Sequence, residues 1–196
     1  MHHRIDYRPS YALLTVELDA GESVRAEAGA MVSYSDGIDV ETSASGGILG
    51  SLKRSVLGGE SFFQNTFSAS ESGEVSFAPP LSGDVAHERL DGTLYVQSGS
   101  YLASDPAVEL DTKFGGGRTF FGGEGLFLLQ LDGTGDVFLS SYGAIHEKEL
   151  EPGETHTVDT GHIVAFDDST TFDVERVGGL KSTLFSGEGL VCTFEG

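Results

Sequence analysis

The chain has 196 residues with 28 Gly, 13 Phe and one Cys, and its 31 Asp and Glu against 11 Lys and Arg give a net charge of −20. The single Cys excludes an intramolecular disulfide, and so acidic a surface disfavours non-specific nucleic-acid binding, because Lys and Arg are needed to neutralise phosphates. The acids are dispersed among aromatic and apolar residues, which favours a folded, carboxylate-coated protein, of the kind found in halophilic archaea, over a disordered acidic chain.

The N-terminal part of the chain begins with a predicted strand. Residues 12–18 (ALLTVEL) form a short apolar run that favours a β-strand. Residues 1–6 contain no apolar signal-peptide core, and no run in the chain approaches the ~18 apolar residues of a membrane span. These features predict a soluble, cytoplasmic protein.

Three segments, which start at Leu18, Leu90 and Leu150, repeat one pattern. Each has an acidic residue and a Gly near its start and a second Gly seven or eight residues later. After the second Gly, residues 30–34 (AMVSY) align with 100–104 (SYLAS) and 162–166 (HIVAF), and an Asp, an alternating strand and a glycine-rich turn follow. Because Gly supplies positive φ, we interpret the matched glycines as turn residues: Gly21, Gly29, Gly59, Gly92, Gly99, Gly123, Gly153, Gly161 and Gly187.

This pattern predicts internal triplication within one all-β domain, residues 1–196, with pseudo-repeats at about 5–80, 81–145 and 146–196. We expect three antiparallel strand units that pack as a β-sandwich or barrel with approximate threefold symmetry. In the second unit, residues 125–131 (GLFLLQL) predict a buried strand, and residues 132–135 (DGTG) predict a hairpin turn into residues 136–140 (DVFLS).

The glycine-bounded segment 46–59 (GGILGSLKRSVLGG) is the one stretch with helical spacing. Its apolar residues fall on one face with two basic residues beside them, and the matching insertion of the second unit again places a Lys and an Arg among glycines. Two interpretations stay open: a loop that covers a sheet edge, its cations balancing nearby acids, or a face that binds a partner. The residues of the second interpretation are Ile48, Leu49, Leu52, Lys53, Arg54, Val56 and Arg118.

Cupin-like barrels bind metal through histidines, and among the six histidines of this chain the candidate ligands are His146, His156 and His162. They do not form a compact His-x-His pair followed by Glu, which such a site uses. His162 aligns with Ala30 and Ser100, so a small residue is tolerated at that place and a surface histidine is favoured. The chain also lacks a phosphate-binding P-loop and a nucleophile elbow, and we expect no cofactor.

Several of these stretches also carry a family resemblance. The stretches AEAGAMVSYSDGIDVET, GGILGSLKRSVLGGESFFQNTF and GLFLLQLDGTGDVFLSSYG resemble the family of altered-inheritance-of-mitochondria protein 24 and its bacterial and archaeal relatives, over about residues 5–194. The resemblance implies a fold like that of the tryptophan RNA-binding attenuation protein, in which antiparallel sheets assemble into oligomers. It supplies no catalytic residues, and a shared fold does not transfer tryptophan or RNA binding.

The function expected from these observations is that of a non-catalytic scaffold or interaction protein, which forms a homo-oligomer or binds a protein partner and does not bind nucleic acid. Two alternatives stay open. One is peripheral association with a membrane surface through the segment Ile48–Leu57, whose apolar face flanks two basic residues. The other is a cupin-like metal-binding protein or metalloenzyme that uses the three histidines named above.

Overall fold

A computed structural model of the chain describes residues 1–44, 62–111, 127–176 and 190–196. Within these ranges the fold consists of strands, turns and two single-turn 3₁₀ segments, which confirms the predicted all-β class. The strands are β1 (His2–Asp6), β2 (Leu13–Leu18), β3 (Ser23–Glu27), β4 (Met31–Tyr34), β5 (Ile38–Ala44), β6 (Phe63–Ala69), β7 (Gly73–Phe77), β8 (Val85–Gln97), β9 (Tyr101–Ser104), β10 (Glu109–Asp111), β11 (Leu128–Ser140), β12 (Thr155–Asp159), β13 (Ala165–Asp167), β14 (Thr171–Arg176) and β15 (Leu190–Glu195).

The strands form three sheets, and within each sheet the neighbouring strands pair antiparallel. The first sheet has the order β1-β2-β7-β4, and the third has the order β12-β15-β14. The second, eight-stranded sheet has the order β13-β8-β11-β9-β3-β6-β5, with β10 pairing on β11. Within the described residues, no helix is long and apolar enough to cross a membrane.

Alternating apolar side chains place the core between these sheets. In β2, Leu14, Val16 and Leu18 recur at every second residue and are buried, as expected for a strand with one face toward the core. They belong to a cluster in which the rings of Phe67 and Phe77 meet edge to face at 5.2 Å. A second cluster surrounds the fully buried Tyr101, and a third joins Cys192 and Phe194 to the rings of the last unit.

Each of the three sequence segments contributes a three-stranded arrangement with the same connectivity. The arrangements are β3-β6-β5, β8-β11-β10 and β12-β15-β14, with the last strand in sequence at the centre each time. In the second and third, a single 3₁₀ turn follows the first strand, and its glycine amide donates to the residue two positions before it, Gly99 N to Gln97 and Gly161 N to Asp159. The approximate threefold symmetry of the whole stays a prediction.

The matched glycines do not all occupy turns. Gly21, Gly29 and Gly153 have φ of 90°, 95° and 80°, which is the left-handed backbone that glycine tolerates. Gly92 lies inside β8 instead. Gly99 and Gly161 lie in the two 3₁₀ turns. The other three, Gly59, Gly123 and Gly187, lie outside the described residues.

The predicted hairpin at residues 132–135 is wrong. Strand β11 continues through these residues and pairs with β8 along its whole length, from Leu128 opposite Gln97 to Ser140 opposite Val85. The turn-forming residues bend the two-stranded ribbon instead of reversing the direction of the chain. At the bend, Gly133 lies opposite Gly92 and both have φ of 133°. Cross-strand hydrogen bonds hold both sides of this bend, from Thr93 to Asp132 at 2.7 Å and from Thr134 to Asp91 at 3.0 Å.

The bend predicts a difference between two alanine substitutions. A Cβ on Gly133 would lie 2.7 Å from the Ala107 carbonyl oxygen, whereas a Cβ on Gly92 has nothing within 4 Å. Both substitutions carry the strain of positive φ, about 1–2 kcal/mol. We expect Gly133→Ala to lower the free energy of unfolding by at least ~1 kcal/mol more than Gly92→Ala in urea denaturation, because it adds a backbone collision. Equal losses would contradict the close approach at residue 133.

Candidate functional site

Three loops that are far apart in the sequence meet at one end of the first sheet. The loops are residues 7–12, 81–84 and 141–143. Backbone hydrogen bonds join them: Ala12 N donates to Gly83 O at 3.0 Å, and Gly143 N donates to Ser82 O at 3.1 Å. Gly83 forms a parallel bridge with Gly143, and a Cβ on Gly83 would collide with the Ser141 carbonyl. The loops are therefore held in one geometry by backbone contacts that need glycine.

An ion pair fixes the first loop to the second. Arg8 donates from Nε to Asp84 Oδ1 at 2.7 Å and from Nη2 to Oδ2 at 2.9 Å, the two-pronged geometry in which Arg binds a carboxylate best. The Asp84 side chain is almost fully buried and also accepts a hydrogen bond from the Val85 amide. The hydrogen bonds from Arg8 hold the pKa of Asp84 below its ordinary value and outweigh the opposite effect of burial.

The same loops expose four large apolar side chains, which we call the three-loop surface: Tyr7, Tyr11, Leu81 and Tyr142. Their exposed fractions are 73%, 72%, 63% and 80%. Tyr7 also has φ of 60°, a left-handed backbone that costs a non-glycine residue about 1–3 kcal/mol. Single exposed apolar residues are ordinary, but four on three mutually bonded loops make a surface suited to a partner.

A second charged group lies where β1 meets the β8–β11 ribbon. Asp136 accepts from His87 Nε2 at 2.9 Å, pairs with Arg89 at 3.2 Å and receives the Met1 amino group at 3.3 Å. Burial alone would raise the pKa of this carboxyl, but these donors together lower it to about 2. The ring of His3 lies 4.3 Å from that of His87, and burial followed by this neighbour lowers the pKa of His3. The group attaches the first strand to the ribbon.

A polar network lies in the interior between β6 and β9. Gln64 Nε2 donates to the Tyr101 hydroxyl at 3.0 Å, and that hydroxyl is 2.9 Å from Ser104 Oγ. Burial raises the pKa of Tyr101 to about 12, so its phenol stays protonated at neutral pH. Burial also raises the pKa of the nearby Glu27 to about 7. The hydrogen bonds of this network join β6 to β9.

The histidines proposed as weak metal ligands are not gathered into a ligand set. His146 is exposed in the loop after β11, His156 is exposed on β12, and His162 is exposed at the end of a 3₁₀ turn. In the described part of the chain, no group of three or more His, Cys, Asp or Glu side chains is placed to hold a metal ion. The cupin-like ligand set therefore gains no support from the structure.

The predicted interaction residues of the basic insertions lie outside the described residues. They are Ile48, Leu49, Leu52, Lys53, Arg54, Val56 and Arg118. Sequence reasoning passed over the three-loop surface, although residues 7–11 (YRPSY) contain two aromatic residues and a Pro directly before a strand. That local signal identifies a loop, but only the fold brings the second and third loops to it.

Comparisons with known proteins agree over almost the whole chain. A family model described as mitochondrial biogenesis AIM24 matches residues 3–196. An uncharacterized protein of Streptococcus pyogenes serotype M6, M6_Spy0233, is 29% identical over 205 residues, which cover 100% of this chain and 82% of that protein. The crystal structure of protein SPYM3_0169 from Streptococcus pyogenes superposes with a TM-score of 0.81 at 27% identity and covers 100% of this chain and 89% of that one.

The Arg8–Asp84 pair predicts a pH-dependent stability. The folded-state pKa of Asp84 lies below its unfolded value, so its contribution is complete above the ordinary carboxyl pKa and is lost as the pH falls through the folded value. We expect Asp84→Asn to lower the free energy of unfolding by about 2 kcal/mol near pH 7, and by less near pH 3, which lies below the ordinary carboxyl pKa. Urea denaturation at both pH values measures this. The control Asp39→Asn, at an exposed position on β5, should change stability little at either pH, and an equal loss there would contradict a specific role for the pair.

Proposed function

The chain belongs to the AIM24 family of mitochondrial biogenesis proteins, and from that premise we propose that it is a non-catalytic scaffold that binds a protein partner through the three-loop surface. The observation that carries the proposal is the convergence of Tyr7, Tyr11, Leu81 and Tyr142 on loops joined by their backbones. Tyrosine is enriched at protein interfaces because it offers a large apolar area with few rotatable bonds and a hydroxyl for a hydrogen bond.

The rigidity of the loops favours binding over mobility. A surface that is already ordered loses little conformational entropy when a partner covers it. The two-pronged Arg8–Asp84 pair and the backbone bonds between the loops supply this order before any partner binds. The strained backbone of Tyr7 also fits a residue kept in place for a purpose other than packing, since its ring is exposed.

Charge indicates what kind of partner suits this surface. With a net charge of −20, the chain repels anionic lipid headgroups and other acidic surfaces. A protein with an apolar centre and a basic rim would complement both the tyrosines and the field around them. We therefore favour a protein partner over a membrane.

The non-catalytic part of the proposal is supported by how the buried ionisable groups are used. Asp84 is occupied by Arg8, and Asp136 by His87 and Arg89. Catalytic groups with shifted pKa values usually face a cleft that admits a substrate, whereas these carboxylates connect strands and loops. In this proposal their shifted pKa values reflect structural ion pairs.

Photo-crosslinking tests the proposed surface. We expect a photoreactive phenylalanine analogue at Tyr142 to give a discrete adduct with one protein in the cells that produce the chain, because its side chain would lie against the partner. The same analogue at Glu151, an exposed position outside the three loops, is the control. Adduct formation at Tyr142 should fall at least about tenfold when Tyr11→Ser and Leu81→Ser are added, since these remove apolar area at the interface.

The outcomes of this experiment separate the alternatives. Equal labelling at Tyr142 and Glu151, or no adduct at either, would contradict a specific protein partner. Labelling of lipid rather than protein at Tyr142 would also contradict it and would point to a membrane surface.

The acidic surface belongs to the same proposal, as an adaptation to a salt-rich cytoplasm. Arg4 illustrates the shortage of cations: it lies within 3.3–3.4 Å of Asp6, Glu17 and Glu74, so a single guanidinium serves three carboxylates. In dilute buffer the remaining repulsion destabilises the compact chain, and dissolved cations screen it.

Salt should therefore stabilise the protein. We expect the urea midpoint to rise steadily between about 0.1 M and 2 M KCl, with most of the rise below about 1 M, where the screening length changes most. A non-ionic osmolyte at matched osmolality is the control, because it alters water activity without screening charge. A midpoint that rises equally in both, or in neither, would contradict the role proposed for the acidic surface.

A further inference from the structure

We propose that copies of this chain associate edge to edge, with β4 of one copy pairing antiparallel with β12 of the next, in a register that the chain already uses twice internally. This inference goes beyond the proposed partner-binding function. It concerns different residues, and neither proposal depends on the other.

The first internal use of this register joins the first unit to the second. Strand β3 pairs with β9, with Ala26 opposite Ala103 and Arg25 opposite Ser104. Counted from the matched glycines, Ala26 is the third residue before Gly29, and Ala103 is the fourth residue after Gly99. In the next pair along, Arg25 is the fourth residue before Gly29 and Ser104 is the fifth residue after Gly99.

The second internal use joins the second unit to the third and follows the same rule. Strand β8 pairs with β13, with Val96 opposite Ala165 and Tyr95 opposite Phe166. Val96 is the third residue before Gly99, and Ala165 is the fourth residue after Gly161. Two contacts between successive units therefore share one register, although the residues that make them differ.

Two strands that could make this contact a third time, β12 of the third unit and β4 of the first unit, are exposed edge strands. Strand β12 is the third unit's counterpart of β3 and β8, and it is an edge of the sheet β12-β15-β14. Strand β4 is the first unit's counterpart of β9 and β13, and it is an edge of the sheet β1-β2-β7-β4. Among the pairings of the described residues, β4 and β12 are not joined to each other. The shared rule places Val158 opposite Ser33 and Thr157 opposite Tyr34.

Strand β4 has the geometry of β9 without its outer neighbour. It pairs with β7 through Met31, Ser33 and Tyr34, with a bulge between Met31 and Ser33. Strand β9 pairs with β11 with a bulge at the matching position. The inner contacts of the two strands are thus alike, and the difference lies on their outer edges.

Exposure shows the same difference. Met31 and Val32 are 39% and 55% exposed, whereas the aligned Tyr101 and Leu102 of β9 are fully buried. Tyr34 is 50% exposed, and its counterpart Phe166 in β13 lies with its ring 5.3 Å from Tyr95 across the strand pair. An apolar edge strand left open in this way is a template for pairing with another chain.

A second copy of the same chain is the occupant that fits this edge, because each copy carries both complementary halves. The two pairs that the shared rule fixes, Ser33 with Val158 and Tyr34 with Thr157, contain no Asp or Glu in a chain that has 31 of them, and Asp159 at the end of β12 lies opposite Val32. These two pairs therefore bring no carboxylates together between the copies. Because the two edges differ, the contact is head to tail and builds a ring if the rotation closes, or a filament if it does not.

Directed disulfides test the register between copies. We expect a mixture of the Ser33→Cys and Val158→Cys variants, oxidised in about 2 M KCl to screen charge, to form a reducible dimer, because directly opposed strand residues lie within disulfide reach. Ser33→Cys mixed with Thr155→Cys, three residues out of register, is the matched control. Wild-type chain is the second control, since its one Cys, Cys192, is buried.

Native mass completes the test. We expect the wild-type chain to have a native mass of two or more copies of the 20.7 kDa chain. The Tyr34→Lys variant should have the mass of a single chain, and its urea midpoint should be the same as that of the exposed control Asp39→Asn. Failure of the in-register pair to cross-link, or cross-linking equal to that of the out-of-register control, would overturn the proposal. So would an intramolecular disulfide in the double variant Ser33→Cys/Val158→Cys, which would show that one chain closes on itself.

Discussion

The pairing of β8 with β11 is the interaction on which most of this fold depends. The two strands are hydrogen-bonded over thirteen residues each, and β9, β10 and β13 all attach to this ribbon. The ribbon changes direction at Gly92 and Gly133, which allows it to contribute to more than one part of the core. In the first unit the corresponding path is broken into two pairs, β2 with β7 and β3 with β6, that lie in different sheets. A continuous ribbon in one unit and an interrupted one in another are two solutions to the same need, because a flat sheet cannot enclose a core.

The strongly acidic composition constrains where ions lie in this fold. Carboxylates at the surface repel one another, and in the described residues two arginines meet carboxylates that are buried. Arg8 pairs with the buried Asp84, and His87 and Arg89 meet the buried Asp136. Both acids have pKa values below their ordinary range despite their burial, because the hydrogen bonds that they accept outweigh desolvation. The Arg8–Asp84 pair fixes the first loop to the loop before β8, and the contact of the Met1 amino group with Asp136 fixes the start of the chain to β11.

The two proposals concern exposed apolar residues of two kinds, those on loops and those on an edge strand. The tyrosines of the three-loop surface belong to loops, so only their side chains are available and a partner must be recognised by shape and apolar contact. Residues 31–34 belong to an edge strand, so their backbone groups are available as well and pairing can follow a defined register. A chain that assembles through its edges and displays a tyrosine surface on each copy would present that surface many times over, which raises the avidity for a partner without any new contact.

By itself the sequence determined the class of the fold, and the neighbours of each strand were decided by the tertiary structure. Period-two patterns such as that of residues 12–18 identify strands, because alternate side chains must point to one face, and the matched glycines identify where three segments repeat. The letters of residues 132–135 satisfy every local rule for a hairpin, yet they form a bend, because Gly92 lies opposite and the carbonyl of Ala107 approaches within 2.7 Å of where a Cβ would be. The three-loop surface is equally invisible in the sequence, since Ala12, Gly83 and Gly143 are joined only by hydrogen bonds between distant parts of the chain. Local patterns report the conformation of a few consecutive residues, whereas a site made of loops depends on long-range pairing, which no short stretch of sequence encodes.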